Sequence, residues 1–259
     1  MRGDAALMPE QEEGKLKPGE RIDDLQRGGL RIIQQESGFR FGTDAVLLAD
    51  FAKAKRGERV VDMGTGTGVL PLLISARAEE TTFDAFEIQP DVADMAARSV
   101  RLNGLESRIH VHHADCRRAA EIIGYECTQL CVTNPPYTRQ GAGLVSPQST
   151  RARSRSDAED CTLAQWMAAC SSVLQYGGRL CVVFPAPRFL ELCDAMRAAH
   201  VEPKRVRFVS AGVQKPPKLV LLEGRKRGGV GLHILPPLMT HNERGGFTDE
   251  MKRIYGETQ

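Results

Sequence analysis

The sequence lacks the long apolar runs that membrane insertion and secretion require. Its longest apolar stretches, such as residues 69–76 and 180–184, are far shorter than the about 20 residues that a membrane-spanning helix needs. Residues 1–14 carry four acidic residues and one arginine and have no apolar core, unlike a signal or transit peptide. We therefore expect a cytoplasmic protein without a membrane partner, with a frayed tail over residues 1–16.

Closely spaced cysteines are also missing. The chain has seven cysteines, an odd number, and no Cys-x-x-Cys pair. Zinc sites need closely spaced ligands, and secreted disulfide frameworks usually contain an even number of cysteines in a much smaller chain. The pattern predicts reduced thiols, many of them in the core, and no metal site.

A strong excess of one charge is absent as well, since the net charge is only +2. Basic residues are nevertheless concentrated in two blocks. Residues 138–156 contain four arginines and no acidic residue, and residues 201–228 contain eight basic and two acidic residues. A basic block is often only solvated surface, but two blocks in one small protein favour a polyanionic partner. Candidate contacts to it are Arg139, Arg151, Arg153, Arg155, Lys215 and Lys218.

Alternating strand and helix patterns begin at Arg59. We predict strands at residues 59–63, 82–88, 108–113, 129–133, 179–184, 204–210 and 219–223, with helices between most of them. This alternation is typical of an α/β, Rossmann-like fold with a seven-stranded, mostly parallel sheet and helices on both faces. No helix separates the last two strands, which predicts an antiparallel hairpin at one edge. Residues 232–235 are expected to extend the last strand or to return beside it.

The residues before Arg59 predict a small extension over residues 17–57, followed by one domain over residues 58–259. The extension comprises a hairpin around Gly28-Gly29 and a helix with Thr43 as its N-cap, packed on a cofactor site. Later in the chain, Thr162 and Thr248 are expected to cap helices, the first running to residue 176 before a stop at Gly177-Gly178. No obligatory protein partner is evident.

The segment from Asp62 to Gly68 comprises the end of the first strand of this domain and the turn after it, with glycines at alternate positions. Glycines at such a turn let a ligand approach the backbone, although a tight turn made only for packing is the alternative. The spacing is Gly-x-Gly-x-Gly, whereas a dinucleotide site uses Gly-x-Gly-x-x-Gly. The Asp62 carboxylate would repel a pyrophosphate, but it suits S-adenosylmethionine, which carries an ammonium group and no phosphate. Glu87 and Asp115, at the next two strand ends, are suited to the ribose hydroxyls and the adenine amino group.

Asn134-Pro135-Pro136-Tyr137 ends the predicted strand 129–133. A planar amine attacks poorly because its lone pair is delocalised, and two acceptors on its N–H groups would aim that lone pair at a methyl group. The Asn134 side-chain oxygen and the Pro135 carbonyl can be those acceptors, and Tyr137 can stack on a flat substrate. A strand-terminating turn is the alternative, since prolines also end strands.

These positions resemble the motifs of class I methyltransferases, in which the segment 41–49 lies over the methionine end of the cofactor. The resemblance implies methyl transfer from S-adenosylmethionine, with S-adenosylhomocysteine as the product. Asn134, Pro135 and Tyr137 would be catalytic, and Pro136 and Tyr137 would contact the substrate. The implied cofactor contacts are Thr43, Asp62, Gly64, Thr65, Gly66, Gly68, Glu87, Ile88, Asp115 and Asn134.

A narrower resemblance extends over residues 17–256. Residues 19–26, 41–49, 215–224 and 254–256 resemble the bacterial tRNA1(Val) adenine-N6 methyltransferases, which modify the adenine next to the anticodon of valine tRNA. One segment departs from that family, because residues 151–157 replace an Ala-Arg-His-Glu-like sequence. The role of this loop stays open.

There are four alternatives. A glutamine methyltransferase acting on release factors shares the Asn-Pro-Pro-Tyr signature, but it usually has a helical N-terminal domain and does not need the basic blocks. Methyltransferases of other bases share the same signature. A non-catalytic RNA-binding protein on this scaffold is expected to have lost Asp62 or Asn134, and both are present. The glycine spacing argues against an NAD-dependent oxidoreductase.

Overall fold

The computed structural model describes residues 16–36, 42–137 and 161–257. In chain order the elements are β1 (Glu20–Asp24), β2 (Arg31–Gln35), α1 (Thr43–Ala52), β3 (Arg59–Met63), α2 (Val69–Ser75), β4 (Thr82–Glu87), α3 (Pro90–Leu102), β5 (Ile109–His113), α4 (Ala119–Ile123), β6 (Thr128–Thr133), α5 (Leu163–Val173), β7 (Leu174–Pro185), α6 (Phe189–Ala198), β8 (Val201–Ser210), β9 (Leu219–Lys226), β10 (His233–Ile234), β11 (Leu238–Met239) and α7 (Asp249–Tyr255).

The main sheet has the strand order β10-β8-β9-β7-β6-β3-β4-β5, and β11 also pairs with β8. Strands β3 to β7 are mutually parallel, whereas β9 runs antiparallel to both β7 and β8. The predicted Rossmann-like α/β class and the antiparallel hairpin of the last two long strands are confirmed. The predicted count of seven strands is wrong, because the described part of this sheet contains nine.

The two additional strands, β10 and β11, have only two residues each. Both pair in parallel with β8, so the expectation that residues 232–235 would extend or adjoin the last long strand is wrong. A two-residue pairing carries no apolar periodicity, and the unpaired backbone of β8 decides where it forms.

Helices cover both faces of the sheet. On one face, α1, α2, α3 and α7 pack against residues such as Val132 and Val183; on the other, α4, α5 and α6 pack against Cys131 and Val182. Successive residues of one strand therefore enter opposite layers, as expected for strands that are buried on both faces. All seven cysteines are free and five are buried, which agrees with the predicted packing role. Among the described residues, no helix combines the length and apolar character needed to cross a membrane.

Helix α5 ends at Val173, so its predicted extension to residue 176 is wrong. The chain enters β7 at Leu174, and the β6–β7 register shifts between Thr128 and Leu130. A Cβ on Gly178 would lie 2.9 Å from the Gln175 carbonyl oxygen. Gly178 therefore allows a close backbone approach and Gly177 supplies a φ of +72°, both within a strand rather than at the end of a helix.

The helix caps are decided by local hydrogen bonds. Thr162 forms a capping box with Gln165, and the Thr248 hydroxyl accepts from the Met251 N–H, which confirms both predicted caps. The predicted N-cap at Thr43 is wrong. Helix α1 already includes Thr43, whose hydroxyl accepts a hydrogen bond from the Tyr255 hydroxyl at 3.1 Å.

Helix α7 holds the first turn of α1 in place. Its Met251 and Ile254 are buried in the same core layer as α1, and Tyr255 reaches Thr43. On its other side, Glu250 accepts two hydrogen bonds from Arg207 of β8, at 2.8 and 2.9 Å. The start of α1 is consequently positioned by residues from the opposite end of the chain.

Candidate active site

The carboxyl ends of β3, β4, β5 and β6 lie at one edge of the sheet. Strand β8 is parallel to β7, because both run antiparallel to β9, and the β8–β9 turn therefore lies at this edge as well. We call this side the carboxyl edge. Ligands of open α/β sheets bind at such an edge.

The glycine turn folds back over the end of β4. The N–H groups of Gly64 and Thr65 donate to the Phe86 carbonyl at 2.9 and 2.8 Å. Gly64 has a φ of +75°, and a Cβ there would lie 3.0 Å from the ring of Trp166. That ring is held in turn by a hydrogen bond from its Nε1 to the Thr133 hydroxyl at 2.8 Å. The turn therefore needs glycine at Gly64 for both conformation and space.

Asp62 is the buried acid beneath this turn. Its side chain is fully buried, and neither carboxylate oxygen has a hydrogen-bond partner among the described residues; the same holds for the Thr65 hydroxyl. Burial raises the pKa of Asp62 to about 7; the nearby Thr65 side chain opposes that shift in part, and the neighbouring Glu87 carboxylate adds to it. Burying a carboxylate without a hydrogen-bond partner costs free energy, and a cationic or hydrogen-bond-donating ligand would offset that cost.

Glu87, the last residue of β4, is held by the backbone. Its Oε2 accepts from the Gly66 N–H and its Oε1 from the Gln89 N–H, both at 3.0 Å. Only 6% of the residue is exposed, and burial raises its pKa. The next residue, Ile88, is half-buried. Each Glu87 oxygen retains a lone pair, so the pair can still accept from two hydroxyl groups of a ligand.

Asp115 follows β5 and caps the short 3-10 turn Cys116–Arg118. Its Oδ1 accepts from the Arg117 N–H at 2.8 Å, and its Oδ2 accepts from Arg117 Nε at 2.8 Å. Burial alone would raise the pKa of Asp115, but these contacts lower it overall. Because β3, β4 and β5 are neighbours, Asp62, Glu87 and Asp115 lie at three adjacent strand ends, as the sequence predicted.

Asn134 follows β6, the strand next to β3. Thr133 pairs with Met63 in the sheet register, and its hydroxyl donates to the Met63 carbonyl at 2.8 Å. Asn134 therefore emerges beside the glycine turn. It is half-buried, Pro135 is buried and Pro136 is exposed.

Asp44 is a member of this site that the sequence did not single out. Its Oδ2 accepts from Asn134 Nδ2 at 3.0 Å, and Asn134 Oδ1 accepts from the Tyr137 hydroxyl at 2.6 Å. Asp44 lies in the first turn of α1, where an acidic residue is ordinarily explained by the helix dipole. Its place in the segment 41–49 was the only signal, since the contact joins residues 90 positions apart.

Arg188 is a second residue without a sequence signal. Its Nη1 donates to the Tyr137 carbonyl at 2.9 Å, and its guanidinium lies 4.8 Å from the Phe184 ring centroid. The Tyr137 ring meets the same phenylalanine edge-on at 5.7 Å. Arg188 and Phe184 thus hold the last residue of Asn-Pro-Pro-Tyr from the β7 side.

The two predicted basic blocks differ in what the structure describes. Lys215 and Lys218 are exposed on the β8–β9 turn at the carboxyl edge, and the Lys218 carbonyl accepts from the Ala186 N–H beside Arg188. Other basic residues of the second block make structural ion pairs: Arg205 with Glu223, Arg207 with Glu250 and Lys226 with Glu126. The first block, with Arg139, Arg151, Arg153 and Arg155, lies outside the described residues.

Comparison with known proteins adds sequence relatives. The family model for the methyltransferase small domain matches residues 37–206. The tRNA1(Val) (adenine(37)-N6)-methyltransferase of Cronobacter sakazakii is 31% identical over 169 residues, which span 62% of this chain and 66% of the relative, just under two thirds of its length. The enzyme of the same name from Musicola paradisiaca is 31% identical over 189 residues, 70% of this chain and 73% of the relative.

Solved structures agree on the fold. A protein of Agrobacterium tumefaciens described as a predicted O-methyltransferase superposes with a TM-score of 0.68 at 22% identity, covering 82% of this chain and 95% of that one. The 16S rRNA N2 G1207 methyltransferase of Thermus thermophilus, solved with AdoMet and guanosine, gives a TM-score of 0.57 at 17% identity, with coverages of 84% and 53%.

Proposed function

Since the chain belongs to the methyltransferase small domain family, and within it to the tRNA1(Val) (adenine(37)-N6)-methyltransferases, we propose that it transfers a methyl group from S-adenosylmethionine to the N6 amine of an adenine in tRNA. One observation carries the proposal beyond family membership. The unpartnered, buried Asp62 carboxylate lies opposite Val132 in the β3–β6 register, two residues before Asn134. A ligand bound at the glycine turn would therefore lie about one strand spacing, about 5 Å, from the acceptor site.

The residues at the carboxyl edge fit S-adenosylmethionine. Asp62 supplies a negative charge for the ammonium group, the backbone-held Glu87 has acceptors for the ribose diol, and Asp115 lies one strand further for the adenine amino group. When bound, this cofactor supplies an electrophilic methyl group on a sulfonium. The remaining proposed contacts are Thr43, Gly64, Thr65, Gly66, Gly68 and Ile88.

Asn134 and Pro135 would make the target amine reactive. Their side-chain and backbone oxygens accept hydrogen bonds from the two N–H groups of the N6 amine, which turns its lone pair away from the adenine ring. Once the methyl group has moved from sulfur to nitrogen, the amine releases one of these protons to solvent. The proline ring restricts the backbone, so the carbonyl stays aimed. Tyr137 is proposed to stack on the base and Pro136 to contact it from the exposed side. Catalysis then rests on positioning and on preorganised hydrogen-bond acceptors.

The names of the relatives support position 37 of valine tRNA as the target, and hence a cytoplasmic enzyme. Lys215 and Lys218 support an RNA substrate because they are exposed at the edge that carries Asn134. We propose that the first basic block also contacts phosphates. Replacing Arg151, Arg153 and Arg155 by alanine should weaken tRNA binding and reduce its salt dependence. An unchanged salt slope would mean that this block is solvated surface.

The division at residues 16 and 57 into tail, extension and catalytic domain stays a proposal too.

The decisive experiment incubates the protein with labelled S-adenosylmethionine and total bacterial tRNA, followed by nucleoside analysis. We expect N6-methyladenosine, located in valine tRNA when purified tRNA species are compared. Parallel incubation with a release factor separates the main alternative. Label in protein but not in tRNA would contradict the proposal and favour a glutamine methyltransferase, and label in neither would favour a binding protein.

A further inference from the structure

Asp44 makes contacts that restrict Asn134 to one orientation. Its Oδ1 accepts from the Ala45 N–H at 2.9 Å within α1, while its Oδ2 lies 3.0 Å from Asn134 Nδ2. An ionised carboxylate can only accept hydrogen bonds, whereas an asparagine amide can present either its oxygen or its NH₂ group. If the amide were turned over, two acceptor oxygens would face each other at about hydrogen-bond distance, which is repulsive. The amide oxygen is thus forced to point away from Asp44.

We infer that Asp44 is a positioning residue for methyl transfer, which keeps the Asn134 side-chain oxygen directed at the amine to be methylated. The inference rests on the function proposed above and goes beyond it, because Asp44 itself touches neither the methyl group nor the amine. An asparagine that rotates freely would present its NH₂ group to the substrate part of the time. A donor there would repel the N–H groups of the amine.

Asp44 is also a second possible acceptor for the Tyr137 hydroxyl. Its hydroxyl donates to Asn134 Oδ1 at 2.6 Å, and so it occupies the acceptor that the substrate amine requires. The same hydroxyl lies 3.3 Å from Asp44 Oδ2. A hydroxyl has one hydrogen to donate. When the amine takes Asn134 Oδ1, the Tyr137 hydrogen can turn to Asp44, so that the exchange leaves no donor without an acceptor.

The residues on either side of Asp44 hold it in a defined position. The preceding residue, Thr43, accepts from the Tyr255 hydroxyl, and the following residues Ala45 and Val46 are buried. Asp44 therefore has a defined place relative to β6, which is a requirement for any residue that acts through geometry.

The test is a double-mutant cycle between Asp44→Asn and Asn134→Ala, with kcat, KM for tRNA and the Kd of S-adenosylmethionine measured for each protein. Asp44→Asn should lower kcat by about 10- to 100-fold, less than the complete loss of a preorganised contact. The Kd of the cofactor should stay within about twofold, because Asp44 contacts Asn134 rather than the glycine turn. In the Asn134→Ala background the same substitution should change kcat by less than about twofold, since the group on which Asp44 acts is gone.

Asp50→Asn is the matched control. It removes a carboxylate from the same helix, where Asp50 pairs with Arg77 at 2.8 Å, and it should keep wild-type kcat. Asp44→Ala provides a second variant should the asparagine protein fold poorly, and thermal melting with cofactor binding identifies folded protein. A wild-type kcat in folded Asp44→Asn and Asp44→Ala, or an equal loss in both backgrounds, would overturn the inference. If Asn134→Ala itself keeps full turnover, the proposed mechanism fails instead, whatever Asp44 does.

Discussion

Replacing Asp62 by asparagine should make the ligand-free protein more stable relative to wild type as the pH rises, and should abolish binding of S-adenosylmethionine. Burial raises the pKa of this carboxyl from 3.8 to about 7 in the folded protein. Between these two values the folded protein keeps a proton that the unfolded chain has lost. The free energy of unfolding therefore falls as the pH rises from about 4 to about 7, and the contribution is constant above that.

The magnitude follows from the size of the shift. At about 1.4 kcal/mol per pKa unit, the full cost of the charged, unpartnered Asp62 is about 4 kcal/mol. Part of it is already present at pH 5, because the unfolded chain is ionised there. Between pH 5 and pH 8 we expect the stability of the variant relative to wild type to grow by about 2–3 kcal/mol. The buried asparagine amide costs about 1–3 kcal/mol at every pH. This cost lowers the stability of the variant relative to wild type by the same amount at pH 5 and at pH 8.

Urea unfolding of the ligand-free proteins at pH 5 and pH 8 measures this change, and calorimetric titration with S-adenosylmethionine at pH 8 measures binding. Asp84→Asn is the control. Asp84 is also buried, but hydrogen bonds from His112 and Arg59 lower its pKa overall, although burial alone would raise it. Its contribution to stability is lost only below about pH 4, so its removal should cost stability at both pH values. A pH-independent Asp62→Asn difference would refute the raised pKa, and unchanged cofactor affinity would refute its role as the ammonium site.

Two further predictions concern the acceptor side of the site. Asn134→Ala should lower kcat by about 10²- to 10³-fold, because a preorganised contact to the reacting amine is lost. The Kd of S-adenosylmethionine, measured by calorimetry, should stay close to the wild-type value. A kcat near wild type would contradict the mechanism. Replacing Lys215 and Lys218 together by alanine should weaken tRNA binding. The plot of log association constant against log salt concentration should become shallower, its negative slope shrinking in magnitude by up to about 2. Filter binding between 50 and 200 mM salt measures both effects. The matched control replaces Lys53 and Lys55 by alanine, since both are exposed before β3 at the opposite edge of the sheet. If the two double variants weakened tRNA binding equally, the β8–β9 turn would have no specific role.

The sequence by itself determined the features that depend on neighbouring residues. The predicted bounds of β3, the glycine turn after it and the caps at Thr162 and Thr248 are local patterns, and they match the structure. Asp62, Glu87 and Asp115 were also predictable as a group, because each lies at or just beyond the carboxyl end of its own strand and parallel strands end at one edge. The position of Asn134 beside the glycine turn follows from the same rule once β6 is placed next to β3.

Only the tertiary structure decided which side chains complete the site. Asp44 meets Asn134 across 90 positions, and Arg188 meets the Tyr137 carbonyl across 51, through contacts that no local period records. The two-residue strands β10 and β11 likewise exist because β8 offers unpaired backbone groups. Long-range contacts of this kind depend on how helices and strands pack after they form. The sequence could therefore predict Asn134 as the proposed acceptor, whereas its hydrogen-bond partner Asp44 emerged only when α1 was packed against the sheet.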